Sequence, residues 1–144
     1  MIQRIQSVFL LLAAIIMGAL FKVPFAMSDK IASPFFEDKL FNVLDHTVLM
    51  VLAILGGIIA LASIFMFRNR NLQLRLGYVG IITSLFLALV AFWLVYSNAD
   101  AMGDTQIEDQ FGLYLPPIAL VFFFLANYFI KKDQKTVESM DRLR

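Results

Sequence analysis

Two stretches of this chain, Thr47 to Phe67 and Leu76 to Tyr96, carry no charged side chain, and only RNRNLQLR separates them. A helix rises about 1.5 Å per residue, so roughly 20 residues cross a hydrocarbon layer about 30 Å thick. Inside such a layer a lone backbone segment can pair its polar groups only as a helix. Both stretches are therefore expected to be transmembrane helices. Two further runs qualify: Ile5 to Met27, around VFLLLAAIIMGALF, and Leu113 to Ile130. In the last, Pro116 and Pro117 lie near the start, where missing amide donors do least harm, so a kink or a late helix start is expected rather than a break. A signal-peptide reading of the first run meets a proline, not a small residue, three positions before a cut after Ala26.

Composition agrees with lipid as the solvent. Hydrophobic residues make up 60% of the 144 and charged residues only 16%, too apolar for a soluble globule of this size. The expected fold class is all-α: one integral membrane domain over 1–144, an antiparallel up-down four-helix bundle with spans at about 5–27, 47–67, 76–96 and 113–130 and a tail over 131–144. The chain has no cysteine, which excludes disulfides, thiol redox chemistry and thiolate metal sites.

The charges are lopsided. Arg4, the loop with Arg68, Arg70 and Arg75, and the tail with Lys131, Lys132, Lys135, Arg142 and Arg144 lie on one side of the expected spans, against Lys22, Lys30 and Lys39 on the other. The acids run the opposite way, with Asp29, Glu37, Asp38, Asp45, Asp100, Asp104, Glu108 and Asp109 facing only Asp133, Glu138 and Asp141. Basic residues in short loops stay in the cytosol, so both termini are expected there. Tyr78 and Tyr128 fall near the cytosolic ends of their spans and Trp93, Tyr96 and Tyr114 near the outer ends, as interfacial belts do. RNRNLQLR reads first as an orientation signal. Its alternative reading, with Arg4, Lys131 and Lys132, is a face for anionic lipid or a protein partner. A net charge of +1 gives no general attraction to nucleic acid.

Helices in lipid associate through close approach of small residues and interhelical hydrogen bonds. Gly77, Gly80, Ser84, Ala88 and Ala91 form such a seam on the third span, and Ala53, Gly56, Gly57, Ala60 and Ser63 one on the second. Packing within the bundle is the plain reading of these seams and a homo-oligomer surface the sharper one. Val121, Phe122, Phe123 and Phe124 are expected to face lipid or to fill between partners. Outside the spans, Ser33 and Pro34 open a helix pattern in SPFFEDKLFNVLDH with Phe36, Leu40, Val43 and Leu44 on one side. Val137, Met140 and Leu143 suggest an amphipathic extension of the fourth helix.

Chemistry is harder to find. A proton or ion carrier places an ionisable group at membrane depth; at that depth these spans have none, and their polar candidates are Ser63, Thr83, Ser84 and Asn127. Asn127 is expected to bond across helices, while serine and threonine can return their bonds to their own helix. The single histidine, His46 beside Asp45, falls short of the several donors that haem or zinc sites use. DAMGDTQIED does not follow the calcium-loop pattern, leaving weak divalent-cation binding as its sharper reading. No nucleophile with a partner base and no phosphate-cradling loop is visible, so no catalytic, cofactor or metal residues are assigned.

Three stretches, MIQRIQ followed by LLLAA, FRNRNLQLRL, and LANYFIKKDQKTVESMDRLR, resemble the Bacteroidota membrane protein family catalogued as domain of unknown function 4293. The resemblance covers nearly the whole chain. It implies a four-span inner-membrane protein with cytosolic ends and implies no activity. The expectation is thus a non-enzymatic structural or accessory membrane subunit. The rival is a carrier or channel for an apolar or lipid-like molecule, which would need a groove lined by the seam residues of the second and third spans. A third, enzymatic reading would need Asp45, His46 and the acids of 100–109 gathered at the outer mouth.

Overall fold

The computed structural model describes residues 3–29, 39–101 and 107–141. Four helices make up most of it: α1 Gln3–Ala19, α2 Thr47–Phe65, α3 Arg70–Ala101 and α4 Phe111–Asp141. Each packs beside two others, α1 and α3 both against α2 and α4. Neighbours run antiparallel. The start of α3 meets the end of α4 through Asn71 and Gln134, and Phe9 of α1 stacks on Phe129 of α4 at 5.4 Å.

Burial follows one rule on all four helices. A stripe of buried positions runs through Gln6, Leu10, Ala13 and Met17 on the first, continued by Leu20 in the turn after it, and through Leu49, Ala53, Gly56, Ala60 and Ser63 on the second. On α3 they are Gln73, Gly77, Gly80, Ser84, Leu87, Ala91 and Leu94; on α4, Pro116, Ala119, Phe123, Ala126, Ile130 and Asp133. Steps of four and three alternate, an average of about 3.5 residues, which is the spacing of helices packed in a left-handed bundle. Ile59, Ala88, Leu113 and Asn127 beside the stripe are buried as well, while Ile15, Ile58, Leu89 and Phe124, one from each helix, point outward and are each more than half exposed.

The helix bounds differ from those expected at several ends, and three of the differences matter most. The first helix ends at Ala19 and not at Met27. Phe21 and Lys22 donate back to Gly18 and Ala19 at 3.3 and 2.9 Å, a tightened last turn, and Pro24 then disfavours a helical Val23. The third helix starts at Arg70, within the expected loop, because Asn69 caps it: its Oδ1 accepts from the Leu72 amide at 3.2 Å. The fourth starts at Phe111, so Pro116 and Pro117 lie inside the helix and there is no late start. Their missing amides leave the carbonyls of Gly112 and Leu113 without helical donors.

A small sheet caps the end where α1 leaves the bundle and α4 enters it. Strand β1, Ala26–Ser28, runs between β2, Leu40–Phe41, and β3, Ile107–Asp109, antiparallel to both. Leu40 is thus in a strand, and Val43 to Asp45 form a 3-10 turn. This corrects the amphipathic helix expected over 33–46 where the chain is described; Ser33, Pro34 and Phe36 lie outside the described residues. The buried rings of Phe25 and Phe41 meet at 5.8 Å with their planes tilted by 43°, and Gly112 lets the start of α4 touch the Pro24 carbonyl, to which its amide donates at 3.0 Å. Tyr96 donates to Asp109 at 3.0 Å and ties α3 to β3.

Lys39, with φ 66°, holds a left-handed backbone just before β2. A side chain there costs energy that glycine would not, so Lys39→Gly should stabilise the fold by about 0.5–1 kcal/mol. The thermal midpoint in detergent measures this.

Candidate functional site at the basic end

The chemistry-bearing residues collect where α2 turns into α3 and α4 leaves the bundle. Ser63, Gln73, Asn127 and Asp133 are all buried there, and Gln6 of α1 lies at the same end. Gln73, fully buried, donates from Nε2 to the Ser63 carbonyl at 3.0 Å. That carbonyl sits in the last turn of α2, where helical donors run out. Asn127 donates to the Leu74 carbonyl at 3.5 Å, the interhelical bond expected of it. Its carboxamide presses on Gly77 so closely that a methyl group there would overlap it. Thr83 and Ser84 bond back to Val79 and Gly80 at 2.9 and 2.8 Å, within their own helix. The oxygens Ser63 Oγ, Gln73 Oε1 and Asn127 Oδ1 are buried without a donor among the described residues.

The basic side chains do different jobs. Arg70 reaches Asp133 at 3.2 Å and also its carbonyl at 3.5 Å, so it clamps the start of α3 to α4 and is not free to meet a partner. Arg68 lines a cleft of about 510 Å³ with Asn71, Gln134, Val137 and Glu138. Gln134 bridges that cleft, donating to Asn71 and Glu138 at 3.3 Å each. Arg75 and Lys132 are exposed. Lys131 lies with its ammonium 5.2 Å from the centre of the Tyr78 ring. Arg4 is in the first turn of α1, but its side chain lies outside those described. Helix α4 carries the tail onward to Asp141 with Val137 and Met140 exposed; Arg142, Leu143 and Arg144 lie outside the described residues.

The expected seams are interior surfaces. Gly56 faces Met17 of α1, whose Cε would stand 2.9 Å from an added Cβ, and Gly57 has Met17 Cβ at 3.8 Å. Gly80 lies against the Phe123 ring; Ala60, Ser84, Ala88 and Ala91 are buried. The phenylalanine run divides: Phe123 is enclosed, Phe122 packs on Phe9 at 6.1 Å, and Val121 and Phe124 are exposed.

At the other end, Asp45 accepts from the Asn42 amide, His46 precedes α2 as its N-cap residue, and Glu108 and Asp109 are on β3. Asp104 lies outside the described residues. Among the described residues no group of three histidine, aspartate or glutamate side chains is placed to hold a metal.

The sequence reading overlooked Gln6 and Gln73. Their signal was register: stepping back four residues from Leu10 and from Gly77 along each buried stripe reaches them.

Among the described residues, three helices are long and apolar enough to cross a membrane: α2, α3 over Arg70–Ser97 and α4 over Phe111–Met140; the apolar part of α1, Ile5–Ala19, is shorter. No curated protein and no solved structure matches the chain. A family model does match, and it covers residues 2–143: the chain belongs to the family described as Domain of unknown function (DUF4293).

Proposed function

We propose that the protein is a four-span integral protein of the bacterial cytoplasmic membrane with both ends in the cytosol, acting as a non-enzymatic accessory subunit. The observation that carries the membrane reading is the bundle's outer surface. Ile15, Ile58, Leu89 and Phe124 are 57, 59, 58 and 60% exposed. In water each such side chain forgoes about 1.5–3 kcal/mol of burial, and the contiguous belt far exceeds what a soluble monomer exposes. Exposed tyrosines bound the belt at the basic end, and Trp93, Tyr96 and Tyr114 bound it at the other. The first helix, 17 residues or roughly 26 Å, crosses when the turn through Leu20 and Phe21 adds to its length.

The accessory reading rests on where free polar groups remain. Arg68, Arg75 and Lys132 and the exposed face of α4 past Lys131 form a basic surface beyond the belt, suited to a cytosolic partner or to anionic headgroups. The groove that a carrier would need on the α2 and α3 seams is filled by Met17, Phe123 and Asn127.

Because the chain lacks cysteine, topology can be read with single introduced thiols. Glu108→Cys should react with a membrane-impermeant maleimide in intact spheroplasts and Glu138→Cys only after lysis. Labelling of both from outside would overturn the arrangement. For the partner, affinity purification from native membranes should retain a protein that Arg68→Gln with Arg75→Gln releases. Arg70 is left intact because its loss would loosen the bundle. Unchanged recovery in the double variant would reject a partner held by these arginines.

A further inference from the structure

We propose that a groove between α3 and α4 at the basic end holds one phospholipid with a net anionic headgroup. The proposal rests on the membrane reading above. The groove, about 130 Å³, is lined by Tyr78 and Ile81 of α3 and by Phe124, Asn127, Tyr128 and Lys131 of α4.

Its chemistry changes along its length as a phospholipid's does. Side chains on a helix lean toward its N-terminus, and for α4 that direction points from the basic end back into the apolar belt. Lys131 therefore brings its ammonium back to the level of Tyr78, 5.2 Å from the ring centre, where the ring face attracts the cation. The phenols of Tyr78 and Tyr128, 44 and 56% exposed, flank it as hydroxyl donors. Farther into the belt Ile81 and Phe124 form an apolar track, which the exposed Leu85 and Val121 continue along the two helices. A phosphate meets Lys131 and the phenols, and an acyl chain lies on the track.

One feature favours a net negative headgroup. Arg75 is exposed one turn from Tyr78 toward the basic end, so a zwitterionic headgroup would bring its own cation near a second positive charge. Phosphatidylglycerol supplies the phosphate and the net charge, and its headgroup carries no cation.

The only tryptophan, Trp93, stands at the opposite end and is 69% exposed, which makes a clean test available. The full chain is reconstituted in phosphatidylcholine vesicles containing a small fraction of either phosphatidylglycerol or phosphatidylcholine with brominated acyl chains, which quench nearby indoles. A Phe124→Trp, Trp93→Phe variant reports on the groove and the natural Trp93 reports on the far end. At the groove, brominated phosphatidylglycerol should be preferred by about fivefold. Lys131→Gln should remove the preference, Lys132→Gln should keep it, and Trp93 should show none. Equal quenching by both lipids at the groove would overturn the proposal and leave the membrane reading intact. The same preference at both reporters would overturn it as well, since it would reflect general surface attraction. Absence of quenching at both reporters by either lipid would overturn the membrane reading itself.

Discussion

Gly80→Val is expected to separate α3 from α4 and to lower the thermal midpoint of the detergent-purified protein well below that of the wild type. Gly80 faces the Phe123 ring so closely that even a Cβ would overlap it. Phe123 is fully enclosed, so the ring has nowhere to turn. In a lipid environment no hydrophobic force pulls displaced helices back together, and their attraction is the dispersion gained by close approach. Overpacking of this kind costs about 1–3 kcal/mol and sometimes more. Gly77→Val should act similarly, driving Asn127 off Gly77 and off the Leu74 carbonyl. The discriminating measurement is a cycle. Phe123→Ala alone should destabilise by about 3–5 kcal/mol through the cavity it leaves. Combined with Gly80→Val, it should cost less than the sum by about 1–3 kcal/mol, because the valine enters the space vacated by the ring. Strict additivity would show that the two residues do not meet.

That pairing explains how much of the bundle the sequence could disclose. Small residues at steps of three and four marked the faces of α2 and α3 that meet other helices, because only small side chains allow backbones so close. What they could not show is which partner lies opposite. Met17 and Phe123 look like any other large apolar residues on helices that are apolar all round. The sheet was invisible for a different reason. Strands of two or three residues carry no readable alternation, and β1 pairs with β3 across two intervening helices. The end of α1 was in principle legible at Pro24, but continuous hydrophobicity through Phe25 to Met27 outweighed it. At the candidate site, counting arginines put Arg70 in a free basic loop. Sequence distance hid Asp133, the residue that engages it.

Asp133→Ala should therefore be the most damaging change among the charged positions of the basic end. Asp133 is 8% exposed and takes a stripe position on α4, one turn beyond Ile130, where an apolar residue would be expected. Its carboxylate meets Arg70 at 3.2 Å, and the side chains are 11 and 23% exposed. Removing the carboxylate leaves a largely enclosed guanidinium that keeps only the long contact, 3.5 Å, to the backbone carbonyl of residue 133 among the described residues. Breaking a fully buried pair costs about 3–5 kcal/mol. Water reaches Arg70 in part here, so a loss of roughly 1–3 kcal/mol is expected. Arg70→Leu with Asp133→Leu should recover most of that loss, because two apolar side chains at these positions need no partner and continue the stripe. Arg68→Gln, at an exposed position, should stay within about 0.5 kcal/mol of the wild type. Unfolding in mixed micelles gives all three values relative to the wild type. If Asp133→Ala proved as mild as Arg68→Gln, the α3 and α4 ends would not be joined by this pair, and the basic cleft beside it would lose its fixed wall.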